Sequence, residues 1–327
     1  MENLRILNKE EMAKRKRMGE ETMTTTKRTQ TQSKQAPSTN GGYRIHRLKV
    51  VNIFFDDDIP DYFQAAIDNI VKAKVPSEER RAVIHNTTER FYNCCREITD
   101  NKSISKGNPI FRDDQGAPAI KAPCPDITIG IGGKAFLNSL SSPVFSQTQA
   151  QEFLRRLHTE YDSLDQNEEK LLLTVMESGL VFFPFATLEA KAYLTGKQIS
   201  EAQNLAAVSG ASALKFQLHL TEMAKSAASE FDDSEYQYPL FFSICTEGPY
   251  HELWAHYTCV EEGRRIFNMK LVKICNAMLK ETIEDFSIAV DNVLRWGADT
   301  FLKSVADRMR LVAIKTLTQV DGMNLAN

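Results

Sequence analysis

Asp126, in CPDITIGIGG, and the pair Glu189 and Lys191, in FPFATLEAKAYLTGKQ, are two acids and an amine set into apolar, strand-like surroundings. If residues from about Phe185 to Tyr193 form a strand, side chains alternate. Thr187, Glu189, Lys191 and Tyr193 then share one face, and Leu188, Ala190, Ala192 and Leu194 the other. In the earlier string Asp126, Thr128, Gly130 and Gly132 alternate with Ile127, Ile129 and Ile131, which reads as a half-packed strand with an acidic, open face. Magnesium takes oxygen ligands, usually one or two carboxylates completed by waters and phosphate oxygens. Two strands that each bring one carboxylate to a sheet edge supply that donor set, and a neighbouring lysine can hold a phosphate or orient the attacking water. The reaction class that such a donor set would serve is phosphodiester hydrolysis. The plainer roles are an edge ion pair for Glu189 and Lys191, contributing little to stability if exposed, and a turn or cap for Asp126 after Pro125.

The elements that must position these groups are read from pattern. Residues 1–42 are polar and close with APSTNGG, a composition that cannot bury enough apolar surface to offset ordering entropy, so a mostly disordered tail is expected. Its KRKR at Lys14 to Arg17, with Lys27 and Arg28, suits a nuclear-import signal or a phosphate-contacting arm, and equally a solvated basic tail. A helix begins after DDDIP, where Asp58 two places before Pro60 suits the start, and another near Ser77, with Ile84, Thr88, Phe91, Cys95 and Ile98 on one stripe. Two helical patterns, SQTQAQEFLRRLHTEYDSL and NEEKLLLTVMESG, form an insertion at about 134–178 between the strands of Asp126 and Glu189. After Gly196 a helix carries Ala202, Ala206, Ala207, Gly210 and Ala213, small enough for close approach to a sheet, and Gln203 lies on that side. A buried amide there needs a partner: a substrate, a metal-bound water or a backbone carbonyl. YPLFFSICTEGPYHELWAHYTC reads as a hairpin turning at TEGP, and residues from about Glu281 to Thr318 as helix, interrupted at most by Gly297.

Composition limits the classes. The 327 residues are 42% hydrophobic and 25% charged, with a formal charge of -3 and a pI near 6.1, so any polyanion site must be focal. Six cysteines without a CxxC pair or zinc-spaced histidines signal neither a zinc site nor a disulfide framework, and a reduced, intracellular setting is expected. No signal peptide and no membrane-length apolar run is read, so no membrane partner is expected. HELWAH is rejected as a zinc-protease motif, because His251 and His256 are five apart and on a strand point to opposite faces. GIGGKA lacks the spacing of a phosphate-cradling loop, and Cys94 and Cys95 read as helix packing.

Pro125-Asp126, then Glu189-x-Lys191 after an apolar strand, then a small-residue helix and a hairpin, resembles the PD-(D/E)XK nuclease superfamily, especially uncharacterised nuclease-like proteins of fungi, over roughly residues 80–315. The resemblance implies adjacent strands in a central mixed sheet flanked by helices, a restriction-endonuclease-like α/β fold, and magnesium or manganese bound by Asp126 and Glu189. It implies catalytic roles for Asp126, Glu189 and Lys191, with Gln203 similar to the polar residue many members place near the site. Two departures stand. The interval from Asp126 to Glu189 is long, so the insertion must leave both acids side by side, and the acid of an earlier helix has only Glu89 as a candidate.

The expectation is a single nuclease-like domain over 43–327 that cleaves DNA in preference to RNA, with Arg155 and Arg156 of the insertion and the basic tail as phosphate contacts, in the nucleus rather than the cytoplasm. The rival keeps the fold without catalysis, as a module binding nucleic acid or a protein. A third reading, a helical scaffold with a minor sheet, holds if ATLEAKAYL is helical, as its composition permits.

Overall fold

The computed structural model describes residues 4–8, 42–55, 59–72, 77–95, 125–143, 145–160, 181–191, 199–228 and 238–324. In chain order these form β1 (Leu4–Asn8), a π-turn (Arg44–Leu48) running into a 3-10 turn (Lys49–Val51), β2 (Ile53–Phe55), α1 (Asp61–Val71) and α2 (Glu78–Cys95). There follow β3 (Ile127–Gly132), α3 (Gly133–Leu140), α4 (Gln147–Glu160), β4 (Val181–Lys191) and α5 (Ile199–Ala227). The chain continues through β5 (Phe241–Glu247), β6 (Tyr250–Glu261), β7 (Arg264–Asn276), α6 (Lys280–Trp296), a π-turn (Gly297–Phe301) and α7 (Leu302–Asn324). The protein is thus α/β, with one mixed sheet in the order β1-β3-β4-β5-β6-β7-β2 and helices on both sides.

The connections explain the mixture. β5, β6 and β7 are joined by short turns and run antiparallel, whereas β4 reaches β5 through the long α5, which returns the chain so that the two strands are parallel. β3 pairs antiparallel with β4 although α3 and α4 intervene. The insertion therefore sits outside the sheet, and Arg310 of α7 pins it by donating to the carbonyls of Leu140 (3.0 Å) and Ser139 (2.7 Å) at the end of α3. ATLEAKAYL, as far as Lys191, is strand, which removes the helical-scaffold reading; Tyr193, Leu194 and the second insertion helix lie outside the described residues. Tail residues 4–8 form β1, which adds its backbone to the edge of β3. The basic runs of the tail, the three Asp at 56–58 and the 100–123 break fall outside the described residues, and the side chains of Glu89, Cys94, Cys95, Arg155 and Arg156 are not described.

Two apolar layers cover the two faces. On one, Phe63 and Ile67 of α1, Ile283 and Phe286 of α6 and Val305 and Met309 of α7 pack with Phe242, Leu253, Ala255 and Tyr257 of the sheet. On the other, Ala202, Ala206, Ala207, Ala211 and Leu214 of α5 pack with Phe241, Cys245, Trp254, Phe267 and Met269. Small residues let α5 lie close. A Cβ on Gly210 would stand 2.2 Å from Nδ1 of His256, so glycine is required there by contact. Gly297 plays the same part, since its Cβ would meet the Phe185 ring at 2.2 Å, which accounts for glycine at the turn between α6 and α7. Between Ile129 and Ile131 the β3–β4 register shifts twice, beside Phe183 at φ 44° and Pro184, whose missing N–H is tolerated at such an irregularity.

The candidate active site

Antiparallel register brings the two acids near each other. Ile127 pairs with Leu188 and Thr128 with Thr187, so the register carried one residue outward sets the backbone of Asp126, just before β3, across from that of Glu189, about 5 Å away. Asp126 is locked in that place, because its Oδ2 accepts the backbone N–H of Ala190 at 2.8 Å. Lys191 follows Glu189 by two residues on the same face. Glu189 is only 1% exposed, whereas Asp126 and Lys191 are half-buried and reach solvent. Asp126, just before β3, and Glu189 and Lys191, in the last residues of β4, thus lie at one end of two neighbouring strands.

The row continues across the sheet. Parallel pairing sets Glu189 beside Cys245 and Lys191 beside Glu247, and antiparallel pairing sets Cys245 beside Glu252. Glu189, Cys245 and Glu252 thus stand side by side on three adjacent strands near the first turns of α5, with Asp126 just before β3 at the end of the row. Burial, then the charges of Glu189 and Glu252, push the Cys245 thiol well above its usual range, against a smaller pull from Ser243 and Lys191. At neutral pH it is a neutral thiol, unsuited to nucleophilic attack or thiolate ligation. The Glu247 carboxylate serves the helix instead, its Oε2 accepting the N–H of Ile199 at 2.7 Å and so capping α5.

Gln203, whose amide is expected from sequence to meet a substrate, a metal-bound water or a backbone carbonyl, is held by side chains instead. Its Nε2 donates to Oε2 of Glu252 at 2.7 Å, and its Oε1 accepts from Nη2 of Arg44. Arg44 also donates through Nε to Oδ1 of Asn204 at 2.9 Å. Trp254 Nε1 donates to the same Glu252 oxygen at 2.8 Å. Burial lowers the Arg44 pKa, and the neighbouring Glu252 and Cys245 oppose that shift. The guanidinium remains cationic.

The histidines of HELWAH lie on opposite faces, as alternation requires: His251 meets Phe286 of α6, and His256 lies under Gly210 of α5. Nε2 of His256 shares a hydrogen bond of 2.8 Å with Oγ of Ser243, and both are buried beneath α5. Among the described residues no group of three or more His, Cys, Asp and Glu side chains forms a ready metal cage, and no helix is long and apolar enough to cross a membrane.

Residues 64–309 match the family described as Domain of unknown function (DUF7924). The chain belongs to that family. Its matched span runs from α1 into α7 and takes in Asp126, Glu189, Lys191, Gln203 and Glu252, so the row of side chains lies wholly within the DUF7924 domain, while Arg44 precedes it. No curated protein and no solved structure matches the chain significantly.

Glu252, Glu247, Arg44 and Asn204 were not singled out from sequence. Glu247 and Glu252 were legible in principle as polar positions alternating with Phe242, Ile244, Leu253 and Ala255. Arg44 offered no such signal, since it reaches Gln203 across 159 residues of chain.

Proposed function

We propose that this DUF7924 protein is a metal-dependent nuclease, with DNA favoured over RNA, and that its sheet is the restriction-endonuclease-like core implied by Pro125-Asp126 and Glu189-x-Lys191. The observation that carries the reading is the nearness of Asp126, just before β3, to Glu189 of the adjacent antiparallel β4, with Lys191 on the Glu189 face, although α3 and α4 intervene in the chain. Packing alone gives no reason to keep a carboxylate 1% exposed at Glu189, because withdrawing a charge from water costs several kcal/mol, ~3 or more.

The donor set suits a hard cation. Two carboxylates without histidine, beside a neutral thiol, favour magnesium or manganese over zinc, and both hard ions complete their shells with water and phosphate oxygens. Asp126 and Glu189 would hold such an ion, which supplies electrostatic stabilisation of charge developing at phosphorus. The chain's own groups do the rest. The Ala190 N–H fixes the Asp126 carboxylate, and the Lys191 ammonium neutralises a phosphate oxygen or orients the incoming water.

Supercoiled plasmid and a single-stranded RNA, each incubated with magnesium or manganese, test this. Wild-type protein is expected to nick DNA faster than RNA, and Glu189→Gln and Lys191→Ala to lose at least about a hundredfold in rate with folding intact. A wild-type rate indistinguishable from that of Glu189→Gln refutes the catalytic reading. Tight nucleic-acid binding without cleavage assigns the binding-module reading instead.

A further inference from the structure

We infer that Gln203 is a positioning residue, the middle of a relay from Arg44 to Glu252, rather than a contact to substrate. This rests on the reading of Asp126 and Glu189 as the reactive pair. The side chain is 9% exposed and its amide is engaged at both ends. Only one orientation of that amide is chemically consistent, since a guanidinium has donors alone and a carboxylate acceptors alone. Oε1 must face Arg44 and Nε2 must face Glu252.

The relay closes into a circuit. Trp254 donates to the same Glu252 oxygen, its ring meets Phe55 edge-on at 5.9 Å and 88°, and the Arg44 guanidinium lies 3.9 Å above the Phe55 ring. Arg44, Gln203, Glu252, Trp254 and Phe55 therefore tie four separate elements together: the π-turn before β2, the end of β2, the start of α5 and the start of β6. Glu252 stands two strands from Glu189, roughly 10 Å away along the row. Held by two donors and faced by Arg44, it is kept out of the Asp126–Glu189 pair, and the first turns of α5 are seated over the row.

Exchanging the two groups tests the relay. Gln203→Glu alone sets two carboxylates against each other and is expected to lower the urea midpoint and cut nicking tenfold to a hundredfold, with the loss in kcat rather than KM. Adding Glu252→Gln restores two of the bonds with donor and acceptor exchanged, Arg44 donating to the residue 203 carboxylate and the new amide at 252 donating to it as well, and gives up the Trp254 bond, because Trp254 and Gln203 donate to the same Glu252 oxygen. The double variant is expected to recover most of the midpoint lost in Gln203→Glu, short of wild type by the Trp254 bond, and to bring kcat back to within a few-fold of wild type. Recovery of the midpoint without kcat overturns the proposal, because substrate would then need the amide at 203. Recovery of neither overturns the circuit itself. If Gln203→Glu does not fold, Arg44→Lys replaces it, since a lysine cannot bond Gln203 and Asn204 with the same fork; an unchanged kcat there overturns the proposal. A wild-type protein that nicks nothing defeats the nuclease reading, and the midpoints still decide the circuit.

Discussion

Gly210→Ala would force the close seat of α5 on the sheet to open. In an ordinary helix this change is stabilising by about 1 kcal/mol, because alanine loses less backbone entropy. Here the new Cβ would stand 2.2, 2.5 and 2.7 Å from Nδ1, Cγ and Cε1 of His256. The ring cannot swing aside freely, being 2% exposed and bonded to Ser243 at 2.8 Å. Overpacking costs about 1–3 kcal/mol, and a broken buried hydrogen bond about 1–3 more. Subtracting the helix gain leaves a net destabilisation of about 1–5 kcal/mol. Urea unfolding with an unchanged m-value measures it. Gly263→Ala serves as the control: no atom lies within 4 Å of its Cβ position, and only its φ of 76° opposes the change, at about 1–2 kcal/mol. A Gly210→Ala protein as stable as wild type, or more so, would refute the packing of α5 on His256.

The buried histidines set an acid limb. Burial lowers His256 to about 3 and His251 to about 4, both below the usual 6.5, so the unfolded chain takes up protons first as pH falls. Stability should therefore drop from pH 6.5 downward, by as much as about 1.4 kcal/mol per pH unit for each histidine until its folded pKa is reached. His256→Asn should remove one proton from that slope in pH-dependent urea unfolding; an unchanged slope contradicts the assignment. For Asp291, burial raises the carboxyl, but the hydrogen bonds and charges of Arg80 and Arg295 outweigh it and hold it below its ordinary value. Its stabilisation is present above about pH 4 and lost as pH falls through the folded pKa, so Asp291→Asn should cost about 2 kcal/mol at pH 7 and much less at pH 2. Equal losses at both pH values, read by thermal unfolding, would argue against an ion pair. Glu189→Gln should abolish nicking while leaving the urea midpoint unchanged or higher, since it removes a buried charge. A large fall in that midpoint would make Glu189 a structural residue.

Much of the site was legible because strand alternation is local. Asp126, Glu189 and Lys191 could be placed on their faces from their neighbours alone, as could the opposed histidines of HELWAH and the small face of α5. Pairing is not local: that Asp126 lies opposite Glu189 depends on a register set beyond the α3 and α4 insertion. β7 and β2 escaped notice because Lys270 and Lys273 interrupt the apolar alternation and the β6–β7 register slips between Leu253 and Trp254, while Ile53–Phe55 is only three residues long. Gln203 was placed on the correct face of α5, but its partners come from residue 44 and from β6, and no periodicity reports a contact at that separation.

A crystal soaked in manganese tests the central claim most directly. Anomalous density should mark one ion held by the Asp126 and Glu189 carboxylates. Manganese bound elsewhere, or no ion at a concentration that supports nicking, would contradict it.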